Sequence, residues 1–356
     1  MQPVKGRGSV TNQASARFNL AQRESDGDWL DARVQIDGEA PRLRTSVVEL
    51  HPRTILSFNR SPDIPFDRSV NAYNGCEHGC IYCFARPSHA WHDLSPGLDF
   101  ETKLFAKPQA AELLRKTLAK RGYRPAPIAM GTNTDPYQPI EAQYRITRQV
   151  LELCLETRHP VTITTKSDRV LADLDLLREL AAQNLVHVGI SVTSLDPVLS
   201  QKLEPRAASP ARRLAALGTL VEAGVPCHVG IAPIIPAITD SFIEGIVEAA
   251  AAKGVRSAMW ILVRLPYEVA PLFREWLDAH FPERAGKVMA TIQDIRGGRD
   301  NDPNFGTRMR PQGVWPDLIA RRIRLAMKRH GMDQRFPPLD SSRFKAPSIG
   351  GQLSLF

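Results

Sequence analysis

Long apolar runs, paired cysteines and an apolar leader are what this 356-residue chain lacks. No stretch approaches the ~20 apolar residues that span a bilayer, so no membrane partner is expected. The cysteines number five, an odd count, and the chain opens on polar sequence. Both features argue against an exported, disulfide-bonded fold and for a cytoplasmic location where thiols stay reduced. Acidic residues are outnumbered: 38 Asp and Glu against 46 Lys and Arg leave a formal charge of +8. A basic balance favours polyanionic partners, nucleic acid first, although many basic enzymes never touch nucleic acid. The length allows a substantial core, as one large domain with extensions or as two small ones.

What is present is concentrated in one place. Cys76-Glu-His-Gly-Cys80-Ile-Tyr-Cys83 puts three thiols within eight residues. Three thiolates can hold an iron–sulfur cluster, but they cannot fill the four cysteine positions of an ordinary [4Fe-4S] site. One iron is left without a protein ligand, and an open coordination position is a place for chemistry, as in catalytic zinc sites. The second cysteine pair of a four-cysteine zinc site is missing. Zinc with His78 as fourth ligand is the alternative. Cys154 and Cys227 stand alone in apolar, periodic sequence and read as buried small hydrophobes. Gly75 and Gly79 let the loop turn tightly around a metal.

The first 25 or so residues are polar and read as a mobile arm. Short alternating stretches such as 32–36 follow, compatible with strands. From Asp67 onward, short apolar strands alternate with amphipathic helices. Strands are expected at 69–73, 127–131, 161–165, 186–192, 226–232 and 258–263, with helices near 108–121, 145–157, 168–183, 209–223, 239–253 and 268–280. Asp168, Ser209 and Thr239 are helix-start signals, and Gly224 and Gly254 are stops. Six strand–helix units imply an α/β fold with a parallel sheet. The expected organisation is an N-terminal arm with short strands (1–64), a core (65–295), a basic extension (296–349) and a flexible tail (350–356). The extension carries a helix near 315–330 with Arg321, Arg322, Arg324, Lys328 and Arg329, either a solvated face or a phosphate-contacting one.

The spacing Cys-x3-Cys-x-aromatic-Cys, with Tyr82 as the aromatic, resembles the signature of the radical S-adenosylmethionine (SAM) superfamily. The longer run from Asn71 to Pro87 resembles, within it, the branch related to spore photoproduct lyase. The likeness covers about residues 65–295. It implies a partial (β/α)6 TIM-like barrel, with the cysteine loop at the C-terminal rim where barrel enzymes place their chemistry. It implies two cofactors, a [4Fe-4S] cluster on Cys76, Cys80 and Cys83, and SAM chelating the open iron through its amino and carboxylate groups. An electron from an unidentified donor then cleaves SAM, and the resulting 5′-deoxyadenosyl radical removes a hydrogen atom from substrate.

The same resemblance sets Thr132, Asn133, Thr134 or Asp135 on the SAM amino group and Lys166 on SAM. Ser191 ends a strand where it could reach the ribose or carboxylate, and Arg206 offers a fork suited to a carboxylate. Tyr82 belongs to the cofactor pocket. His78, His89 and His92 flank the loop as sulfide donors or as packing residues. One departure stands out. Spore photoproduct lyase has a hydrogen-donating cysteine in the segment matching Gly131 to Asp135, and this chain has none there. Tyr137 is the candidate replacement.

The last five residues, Gln352-Leu353-Ser354-Leu355-Phe356, match the peptide with which bacterial replication and repair proteins dock on the DNA polymerase sliding clamp. Two apolar anchors behind a Gly-Gly hinge suit such docking. The reading that joins these features is a radical SAM enzyme acting in DNA repair or nucleic-acid modification. Its rivals are action on RNA, a peptide or a small molecule, and an iron–sulfur protein that senses redox state or scaffolds without turnover.

Overall fold

A computed structural model describes residues 3–18 and 43–348. Among them ten strands form two sheets: β1 (Ser46–Glu49), β2 (Leu56–Phe58), β3 (Arg68–Val70), β4 (Tyr73–Asn74), β5 (Lys103–Ala106), β6 (Ile128–Met130), β7 (Val161–Thr165), β8 (Val186–Ser191), β9 (Cys227–Ile234) and β10 (Ala258–Leu262). The principal helices are α1 (Ala110–Leu118), α2 (Ile146–Thr157), α3 (Leu174–Ala181), α4 (Pro197–Leu203), α5 (Pro210–Glu222), α6 (Ile243–Ala252), α7 (Val269–His280), α8 (Pro282–Asp294) and α9 (Val314–Arg329).

The large sheet runs β10-β9-β8-β7-β6-β3-β2. Its six strands from β3 to β10 are parallel and lie in chain order, so each strand–helix unit adds one neighbour. This is the partial (β/α)6 barrel that the alternation and the resemblance both predict. The strands read as short Val- and Ile-rich runs because helices cover them. Val186, Val188 and Ile190 of β8 are all fully buried, and they pack with Val161, Ile163 and Val229. Cys154 and Cys227 are buried in the same core. The sheet stays open, with antiparallel β2 on one edge and β10 on the other.

Several features were not foreseen. β1, β5 and β4 form a separate small sheet beside the cysteine loop. Helices α4 and α8 fall in stretches assigned no element. Ser209 caps its helix as expected, whereas the turn at Asp168 is capped by Ser167 instead. Thr239 does not cap; its hydroxyl accepts from the Ile235 amide at 2.8 Å.

The mobile-arm reading fails for residues 3–18, which are docked. Arg7 and Ser9 are buried, Asn12 exchanges hydrogen bonds with Asp99, and Thr11 and Gln13 both donate to Glu275 at 2.6 Å. The segment lacks apolar periodicity because it is held by polar and backbone groups. At Gly8 a Cβ would lie 1.8 Å from the Gly79 carbonyl oxygen, so the backbones touch where no side chain fits. The expected strand at 32–36 and the tail Gln352–Phe356 lie outside the described residues. No helix among the described residues is long and apolar enough to cross a membrane. On α9, Ile319 and Ile323 pack inward, Arg322 pairs with Glu244, and Arg321, Arg324, Lys328 and Arg329 are exposed.

Candidate active site at the C-terminal ends of the strands

The cysteine loop follows β3 and β4 and is fixed by backbone hydrogen bonds within itself and to its neighbours. The Cys76 amide donates to Phe100 O at 2.9 Å, Ile81 to Leu203 O at 3.1 Å, and Cys83 to Cys80 O at 3.2 Å. Gly79 takes φ of 67°, a left-handed turn that favours glycine. Cys76 and Cys80 are buried and Cys83 is half-buried. Burial, then the neighbouring Asp135 charge, pushes the Cys76 thiol well up; burial pushes Cys80 up to about 12. Cys76 and Cys80 are therefore protonated without metal, and loading them with iron must release protons.

Beneath the loop lies a buried ion pair that sequence reasoning did not find. Arg86 Nη2 is 2.6 Å from Glu101 Oε1, and both side chains are fully buried. The same guanidinium donates to the carbonyls of Gly79, Cys80, Pro96 and Gly97 at 2.9–3.1 Å. Glu101 accepts also from the Gly8 and Ser9 amides at 2.9 and 2.8 Å. Arg86 closes the loop much as a rigid five-donor fork should.

A second support is Asp135. Its Oδ1 accepts from Thr165 Oγ1 (2.7 Å) and the Tyr137 amide (2.9 Å); its Oδ2 accepts from the Lys166 amide (2.8 Å) and faces His78 Nδ1 at 3.3 Å. Burial alone would raise its pKa, but His78, Thr165 and the Lys166 amide hold it at about 2. Three hydrogen bonds and the His78 contact lock the β6 loop to β7 and to the cysteine loop through Asp135. Thr134 is likewise inward, donating to Gly75 O at 2.8 Å. Thr132 and Asn133 remain half-buried at the rim, and the Asn133 side-chain oxygen accepts no bond among the described residues.

Tyr82, Thr193, Glu204 and Arg213 form one buried network, with half-buried Lys166 beside it. The Tyr82 hydroxyl and Arg213 both donate to Glu204, as does Thr193 at 2.6 Å. Lys166 Nζ sits 5.8 Å from the Tyr82 ring centre. Burial pushes against the charge on Glu204, but Arg213 and Lys166 outweigh it and keep the carboxyl below its ordinary value. Lys166 is correspondingly raised by Cys80 and Glu204 against its own burial. Glu204 and Arg213 were missed; the signal was a charge in phase with the buried stripe Ala216, Leu217 and Leu220 of α5.

Other expected residues are placed differently. The Tyr137 hydroxyl donates to Asp173 at 3.1 Å, and Arg148 pairs with Asp173 from the other side. That phenol is buried in packing between helices, so it is not an open hydrogen donor. Arg206 is drawn through Nη1 to Glu77 at 3.1 Å, on the cysteine loop. Ser191 is buried at the end of β8, and its hydroxyl has no partner among the described residues. His92 stacks on Phe105 and bonds Asn74. His89 is fully buried beside Phe100, with neither ring nitrogen hydrogen-bonded among the described residues.

The donor set suits a cluster better than a single ion. Among the described residues no three His, Cys, Asp or Glu side chains converge on one metal, and His78 is committed to Asp135. A cubane takes one thiolate per iron, so its ligands need to ring a space without converging on a point.

The radical SAM superfamily profile matches residues 70–250, half of the chain, and the chain belongs to that superfamily. It is a radical SAM enzyme, and its cofactors are a [4Fe-4S] cluster and SAM. Among its relatives, an uncharacterised protein of Mycobacterium tuberculosis is 35% identical over 232 residues, 64% of this chain and 68% of the relative. An uncharacterised protein of Methanocaldococcus jannaschii is 31% identical over 171 residues, 48% of this chain and 61% of the relative. The solved structure of spore photoproduct lyase complexed with dinucleoside spore photoproduct shares the fold, with a TM-score of 0.54 at 16% identity over 80% of this chain and 78% of that one. A variant of that lyase with bound AdoMet and dinucleoside spore photoproduct gives a TM-score of 0.50 at 15% identity, over 85% and 90%.

Proposed function

We propose that this enzyme abstracts a hydrogen atom from a damaged or modified nucleotide in DNA, in the cytoplasm. The observation that carries this reading is the cysteine loop at the strand ends of a barrel whose solved likeness holds a dinucleoside. The charge of +8 favours a polyanionic substrate. When bound, the cluster and SAM would supply reductive cleavage of a carbon–sulfur bond and the hydrogen-abstracting group.

The chain's own residues bind and orient. Cys76, Cys80 and Cys83 would hold the cluster, and Asn133 and Thr132 would bind the SAM amino group. Ser191 presents a free hydroxyl to the ribose or carboxylate, and Lys166 sets a positive charge beside Tyr82 and Cys80. Because the segment Gly131–Asp135 has no cysteine and Tyr137 is tied to Asp173, repair of spore photoproduct by the lyase's own hydrogen return is not part of this proposal. The electron would come from a donor outside this chain.

Anaerobic reconstitution with dithionite and SAM should yield 5′-deoxyadenosine above a Cys80→Ala control. Site-specifically deuterated oligonucleotides should pass label into it. Turnover with label transfer from no oligonucleotide would overturn the DNA assignment and leave the enzyme class intact. The tail Gln352–Phe356 is proposed to dock on the sliding clamp. Clamp pull-down should be lost when residues 352–356 are deleted; equal retention would reject this partner.

A further inference from the structure

The segment after α8 bridges the open side of the sheet. Arg264, two residues past β10, places Nη1 3.2 Å from the sulfur of Met309. Next to Met309, Arg308 makes a two-pronged pair with Asp63, which lies between β2 and β3; both contacts are 2.7 Å. Residues 296–310 thus run as a strap from one free edge of the sheet, β10, to the other, β2.

Three guanidinium groups gather along this strap, and their partners do not balance. Arg308 takes up Asp63. Arg296 is 6% exposed, and its bonds go only to carbonyls, Val263 O at 2.6 Å and Arg308 O at 3.2 Å. Its Nε is buried without a partner, and so is the Nε of half-buried Arg264. Neither arginine forms a salt bridge among the described residues. Asp302 adds one negative charge felt by both but pairs with neither, its Oδ1 accepting from Asn304 at 2.9 Å, so three guanidinium groups face two carboxylates, Asp63 and Asp302. Burial, with Arg264 alongside, pushes Arg296 down to about 10, so it remains charged at neutral pH.

Burying an unpaired charge is costly, and placing a second of the same sign beside it adds to the cost. An anion held between them removes both penalties. Guanidinium forks match the oxygens of a tetrahedral oxyanion, and barrel folds often bind phosphate at the loops after their last strands.

We infer that Arg264 and Arg296 form a binding site for a phosphate group, and that during the reaction this group is a phosphodiester of the substrate strand. The second part rests on the DNA reading above; the first does not.

The test uses the full chain. Thermal unfolding is followed with inorganic phosphate against chloride at equal ionic strength, and a fluorescent single-stranded DNA oligonucleotide is titrated by anisotropy. Arg264→Gln is the informative variant, because it breaks no backbone hydrogen bond; Arg264→Lys keeps the charge without the fork. Phosphate should raise the wild-type melting temperature and lose most of that effect in Arg264→Gln, with Arg264→Lys between. Oligonucleotide affinity should fall at least about tenfold in Arg264→Gln. Absence of any phosphate-specific stabilisation of the wild type overturns the site. Stabilisation by phosphate with no oligonucleotide binding keeps the site and sinks the DNA reading. Equal oligonucleotide binding by wild type and Arg264→Gln rejects the phosphodiester assignment while the DNA reading stands.

Discussion

Replacing Arg86 by Met asks how much of the cysteine loop rests on the ion pair beneath it. The change removes the 2.6 Å contact with Glu101 and four bonds to the carbonyls of Gly79, Cys80, Pro96 and Gly97. Glu101 is left fully buried with only the Gly8 and Ser9 amides as hydrogen-bond donors. Removing one partner of a buried pair costs about 3–5 kcal/mol, against a typical total stability of roughly 5–15 kcal/mol. Arg86→Met/Glu101→Gln leaves no unpaired charge, so it should recover about 2 kcal/mol or more relative to additivity. Urea unfolding of the cluster-free full chain, followed by fluorescence of buried Trp276, measures this cycle. Iron bound per chain after anaerobic reconstitution then reports the loop itself, and should fall in Arg86→Met where the protein is still folded. A coupling energy within about 0.5 kcal/mol of zero, the usual limit of additivity, together with wild-type iron loading, would show that the loop stands on its backbone bonds alone.

Tyr137→Phe should cost about 1 kcal/mol for the lost bond to Asp173 and leave 5′-deoxyadenosine yield and product distribution unchanged; a shifted distribution would put the phenol back in the chemistry. Glu141 is raised by burial from 4.5 to about 7 and accepts from Tyr73 and Thr147. Its contribution is fully present below pH 4.5 and is lost as pH rises to about 7, by up to about 3 kcal/mol. Glu141→Gln should flatten that part of the stability–pH curve, and an unchanged slope in urea titrations would contradict the assignment. Gly8→Ala, whose Cβ would sit 1.8 Å from Gly79 O, should cost about 1–3 kcal/mol as overpacking does and lower iron loading; wild-type values for both would mean the N-terminal segment yields freely.

The parallel strands were legible because each is a short apolar run between amphipathic helices, and periodicity is a local property. The three cysteines were legible because their chemistry needs close spacing. What escaped was held by contacts distant in sequence: Arg86 and Glu101 are 15 residues apart, and Gly8 and Glu101 are 93 apart. Asp135 shows a subtler limit. Its position at the rim was foreseen, but the four groups around it come from the cysteine loop, its own turn and the end of β7, and only the folded chain brings them together. Polar residues 3–18 suggested freedom, because hydrogen bonding through backbone amides leaves no pattern of side chains to read.

The contact of Gly8 and Ser9 with Glu101 also redraws the boundary of the catalytic unit. A chain begun at residue 70, where the superfamily match starts, would keep all three cysteines and every parallel strand from β6 onward, yet strip two donors from the carboxylate under the loop. Gly8 and Ser9 can be seated only after Glu101 has left the ribosome. Trimming the N-terminus, or fusing a partner close to residue 7, is therefore an active-site alteration.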